Sequence, residues 1–129
     1  MALLLGPPPA RAQACKDETT MVENSKQTLM EFTEKVRKES LADFENSDHQ
    51  KSAASRLSLH AGMVGELVSC LEKASQDSTL SKEDAAAAKT QYDATLKLQE
   101  KLKQEQAAIK DAKTPKDAKA LVEKLDLAP

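Results

Sequence analysis

An all-α, single-domain fold, an antiparallel three-helix bundle with a short C-terminal fourth helix, is what this sequence predicts. Three observations point there. Aromatic residues number only three (Phe32, Phe44 and Tyr92) and glycines only three, while Ala, Lys, Glu, Gln and Leu dominate the second half. Such a composition packs helices through aliphatic side chains. Apolar residues recur at three-, four- and seven-residue steps, and none of the short alternating Val/Ile/Thr/Tyr runs of a β protein are present. A chain of 129 residues supplies one core and not two.

The first helical pattern spans about Asp17 to Glu45. Met21, Val22, Leu29, Phe32 and Val36 define one face, completed by Ser25. Leu41 and Phe44 fall out of phase with it, and Ser40 with Asp43 has the form of a capping box. The helix therefore bends near Glu39, or ends there and a short helical turn follows. Asn46-Ser47-Asp48 is a turn signal, because these side chains compete for backbone hydrogen bonds and favour caps.

The central helix runs from there to about Ser75. Its core is the least polar long stretch after the N-terminus, Ala53 to Ala74. Leu57, Val64 and Leu71 lie seven apart, with His60, Ala61, Leu67, Val68 and Ala74 widening the face. Gly62 and Gly65 sit inside it, each costing about 1 kcal/mol relative to Ala, which suggests a close helix approach or a small kink.

Gln76 to Ser81 is polar, and Ser81 with Asp84 forms a second capping box. A pattern free of Gly and Pro continues to about Lys113, or about 48 Å of helix at about 1.5 Å per residue. Its stripe (Ala85, Ala88, Tyr92, Thr95, Leu98, Leu102, Ile109) is narrow, so residues 82–113 are a candidate surface for pairing with a second copy. Thr114-Pro115-Lys116-Asp117 is the strongest boundary: Thr suits the N-cap and Pro the first helical position. Ala118, Leu121, Val122 and Leu125 give the last helix an apolar stripe that should fold back onto the bundle.

Residues 1–14, MALLLGPPPARAQA, read as a targeting segment preceding a domain of residues 15–129. An apolar piece, Ala2 to Leu5, precedes three prolines, and Ala12-Gln13-Ala14 matches the small-x-small pattern at which signal peptidase cuts. The apolar piece is short for a secretory signal and no Lys or Arg precedes it. The alternative is a Pro-rich tail on an intracellular protein.

Export makes Cys15 and Cys70, the only cysteines, a predicted disulfide. In an antiparallel hairpin the pair is centred near Ala42 and Asp43. A reversal at Asn46 to Asp48 would instead carry Cys15 past Cys70 by about two turns unless residues 15–20 fold back. Closing that loop contributes about 4 kcal/mol in the chain-entropy model. A lipid anchor on Cys15 is the weaker reading, because Ala12 stands where lipoprotein recognition normally has Leu.

Charge and motif content narrow the function classes. Nineteen basic against 21 acidic residues, interspersed, give neither the basic excess nor the stacking aromatics of a nucleic-acid binder. No apolar run after the N-terminus approaches the ~20 residues of a membrane span. His49 and His60 are the only histidines. His60 falls on the apolar face, while His49 sits at a turn beside Asp48 with Glu45 four residues before it. A metal centre needs three or four convergent ligands, and no such set can be assembled. Catalysis by Ser or Cys needs a His base held by a third group, and no phosphate loop exists among three scattered glycines. No catalytic, cofactor-binding or metal-ligating residue is therefore predicted.

The expected class is a non-enzymatic binding module, exported to a periplasm or cell surface, with a chaperone-like or envelope-associated role and a protein partner. Polar residues of the first helix and the Thr/Gln positions of the third are expected to line an interhelical groove for an apolar ligand or an unfolded segment. The alternatives are an intracellular structural subunit or coiled-coil adaptor and, further off, a small metal or ligand carrier.

Overall fold

The computed structural model describes residues 15–129; the targeting segment expected over residues 1–14 lies outside them. Five helices follow in order: α1 (Lys16–Lys38), α2 (Leu41–Asn46), α3 (His49–Ser75), α4 (Lys82–Asp111) and α5 (Pro115–Glu123). No strand occurs among the described residues. The three long helices with a short last one are those the sequence predicts; α2 is the helical turn left open there.

Local chemistry sets most of the ends. Ser40, Ser81 and Thr114 each accept a hydrogen bond from the backbone N–H three residues on, at Asp43, Asp84 and Asp117. Each helix start thus loses one unpaired donor. Glu39 is extended (ψ 160°), which ends α1 one residue before it; of the two expected alternatives, the helix ends and does not bend. Asp48 closes the reversal in the left-handed region at φ 53°, where Asp is tolerated better than most residues. Its side chain makes no cap bond to α3, so it serves the turn and not the helix.

The central helix, α3, packs most extensively on α4 and next on α1, while α1 and α4 scarcely touch each other. At the end holding the α1–α2–α3 turn, α5 wedges in and contacts all four other helices. Leu29, Phe32 and Val36 of α1 join Leu57, Ala61, Val64 and Val68 of α3 in one core, which continues through Leu98, Leu102 and Ile109 of α4. Ala118 and Val122 of α5, and Leu127 beyond it, close its base.

The stripes differ from expectation in detail. Met21 and Leu121, both assigned to buried faces, are exposed. Leu121 looks outward because the tail after α5 turns under the bundle and supplies Leu127 instead. The tail is held there by polar contacts: Asp126 donates its backbone N–H to Glu105 Oε2 at 3.1 Å, and Lys101 pairs with Asp126 and donates to the Ala128 carbonyl.

Gly62 and Gly65 part company. A Cβ at Gly65 would meet the amide end of Gln99 on α4 at 2.6 Å, so the close-approach reading holds there; a Cβ at Gly62 would meet nothing within 4 Å. No helix among the described residues is long and apolar enough to cross a membrane.

Candidate functional site

Cys15 and Cys70 are bonded, with Cα atoms 5.8 Å apart. The bond ties the start of α1 to the last turns of α3. Ser25 on α1 and His60 on α3 also meet, Oγ to Nδ1 at 2.6 Å. Both pairs are centred between Ala42 and Asp43, so a single antiparallel register runs along α1 and α3. The reversal spans Glu39 to Asp48 and not Asn46 to Asp48 alone, because α2 is interposed. The two-turn overshoot therefore does not arise, and residues 16–20 are regular helix. With its sulfur in the disulfide, Cys15 has no thiol to receive a lipid.

The apolar face of α3 buries His60 completely, at 1 % exposure. Ser25 Oγ lies 3.1 Å from the Val22 carbonyl as well as 2.6 Å from His60. One hydroxyl proton cannot serve both. If it goes to Val22, His60 Nδ1–H donates to Ser25 and Nε2 is a bare acceptor; if it goes to Nδ1, Nε2 carries an N–H. Either way Nε2 is buried without a hydrogen-bond partner among the described residues. Burial, and secondarily the positive charge of Lys26, push the imidazole pKa below its ordinary value, so the ring is neutral at neutral pH. The contact acts as an interhelical hydrogen bond.

His49 is also buried, and its partner is neither Glu45 nor Asp48. Nδ1 donates to Glu39 Oε1 at 2.5 Å, and the ring stands edge-on to Phe32 and Phe44, with centroids 5.3 and 6.0 Å away. Glu39 follows α1 and His49 begins α3, so this contact clasps the turn around α2. No group of three or more His, Cys, Asp or Glu placed to hold a metal ion occurs among the described residues.

A cleft of about 270 Å³ between α1 and α3 has a largely apolar lining. Leu29 lines it from α1 and Leu59 and Met63 from α3; Met21 stands at one end and Arg56 at the other, with Asn24, Ser25 and Thr28 along the α1 side. Leu59 is 61 % exposed and Met21 44 %, well above what burial against the bundle would leave. Arg56 is fixed by stacking over the Phe32 ring, its Cζ 4.6 Å from the centroid. The polar residues of the first helix do line a groove, as expected, but the facing wall is α3 and not the Thr/Gln positions of α4. Thr95 instead returns its hydroxyl to the Gln91 carbonyl. Leu59 and Met63 sit on the flank of the α3 stripe, and a stripe identifies a buried face without saying which flank a neighbouring helix leaves open.

Two other depressions are more polar. One, of about 570 Å³ between α3 and α4, is walled by Ser55, Ser58, Gln106, Lys51 and Lys110. The other, at the turn, mixes Glu31, Glu34, Glu39 and Asp43 with Lys35 and Lys38.

Comparison with models of known protein families, with curated proteins and with solved structures found no match.

Proposed function

We propose that this chain is a non-enzymatic, exported helical-bundle module that binds another protein, in a chaperone-like or envelope-associated role, and that the α1–α3 cleft is its contact surface. The observation that carries the reading is the exposed apolar lining of that cleft. Monomeric surfaces seldom leave Met and Leu side chains grouped in a concavity unless something covers them. Methionine suits such a role because its unbranched, polarisable chain adapts to partners of differing shape.

Support for export comes from the Cys15–Cys70 bond, since structural disulfides persist in oxidising compartments. The intracellular alternative, assembly through residues 82–113, asks more of the molecule. Leu98, Leu102 and Ile109 already pack on α3, and Leu96 is the only large apolar side chain of α4 left exposed among the described residues.

The test is a fluorescence-anisotropy titration of a labelled, uncharged Leu/Met-rich peptide with the oxidised protein and its Met63→Glu variant. Saturable binding by the parent and its loss in the variant are expected. Absence of binding, or equal binding by both, overturns the assignment.

A further inference from the structure

Resting on that reading, we infer that the α1–α3 cleft selects apolar protein segments carrying an acidic residue, with the apolar anchor seated between Met21 and Met63 and the carboxylate meeting Arg56. The cleft has a direction. On α3, Arg56, Leu59 and Met63 follow at three- and four-residue steps, so their side chains form one row. On α1, the register set by Cys15–Cys70 and Ser25–His60 places Leu29 level with Arg56 and Met21 level with Val64, one residue beyond Met63. One end is therefore lined by two methionines and the other by a guanidinium, roughly 10 Å apart at 1.5 Å per residue.

The charge at that second end is unbalanced. Among the described residues, Arg56 is the only ionisable one lining the cleft, and it makes no ion pair there. The two polar depressions each combine cations with at least one acid. Stacking on Phe32 holds the guanidinium in place, so little side-chain freedom is lost when a carboxylate arrives. A preorganised, unpaired cation beside an apolar trough complements an acidic residue about two helical turns, or three extended residues, from an apolar anchor. A lysine at that position on the partner would meet like charge and be rejected.

The experiment uses three labelled helical peptides with the same Leu/Met face and Glu, Gln or Lys two turns from the central Leu. They are titrated into the full, oxidised protein at low salt. The Glu peptide is expected to bind about fivefold more tightly than the Gln peptide, and the Lys peptide more weakly than either. The preference should shrink as salt is raised. Arg56→Gln should level the Glu and Gln peptides, and Arg56→Glu should invert the order by about tenfold. Equal binding of all three peptides by the parent protein, or a preference that survives Arg56→Gln, overturns the inference. If the Gln peptide still binds and is lost in Met63→Glu, the cleft remains a protein-binding surface without charge selection. Failure of every peptide sinks both ideas. Self-association by light scattering that disappears in Met63→Glu would assign the cleft to a second copy of this chain and likewise overturn the inference.

Discussion

His60 lies among aliphatic side chains with one ring nitrogen bonded to Ser25 and the other buried without a partner among the described residues. Its pKa is lowered in the folded chain, first by burial and then by Lys26, so the unfolded chain binds its proton more readily. The sign follows directly. The neutral-His contribution is fully present above the unfolded value of about 6.5 and is lost progressively as pH falls from there toward the lowered folded value. Thermal melts between pH 7.5 and 5 should show this loss, and His60→Leu should flatten the profile over that window. Gly62 offers a second test at this scale. With open space around its Cβ position, Gly62→Ala should stabilise the chain by about 0.5–1 kcal/mol, read from the denaturant midpoint. Gly65→Ala should gain less, since the Gln99 side chain must first move.

At the scale of elements, α5 determines how the base of the bundle closes. It is nine residues long and would be marginal alone. Its order depends on the Thr114 cap, Pro115 at the first position, and the burial of Ala118 and Val122. Thr114→Ala should cost about 1 kcal/mol. Because α5 contacts every other helix, the loss should appear as a lower global midpoint, with early hydrogen exchange confined to residues 114–127. Retention of the wild-type midpoint would mean that packing alone holds α5. The short α2 has a different task. Inserted between Glu39 and His49, it sets the axial offset of α1 against α3, and the His49–Glu39 contact clasps that geometry against Phe32 and Phe44.

For the whole molecule, α1 is the most separable long element, since it packs on α3 but scarcely on α4. The disulfide acts where that attachment would fray first, at the N-terminal end of α1. Reduction, or Cys15→Ser with Cys70→Ser, should lower stability by about 4 kcal/mol in the chain-entropy model for a 55-residue separation, a large share of a small domain's total. Intact mass with and without reductant and alkylation, on natively expressed protein, checks both the bond and the fate of residues 1–14. No alkylation before reduction and loss of that segment are expected. Two alkylatable thiols with the segment retained would end the export proposal.

Much of this architecture was legible in the residues themselves. The helix starts at Ser81 and Thr114, the turn at Asn46 to Asp48, and the core positions Leu29, Phe32, Leu57, Val64 and Leu102 all follow from caps and periodicity, and the cap at Ser40 was legible although a bend and a break near Glu39 both fitted it. These signals act over one or two turns of backbone, so local chemistry suffices to write them. The cysteine pairing could be anticipated, but its register could not, because α2 had first to be placed. Tertiary structure alone decided that His49 reaches back to Glu39, that Ser25 meets His60, and that Met21 and Leu121 face outward. It also decided that Leu59, Met63 and Arg56 share a cleft with α1. The physical reason is that a hydrophobic stripe specifies which side of a helix is buried, but neither the neighbour it packs against nor the axial offset between them. Those are settled by connection length and by the competition of α1, α4 and α5 for the surface of α3.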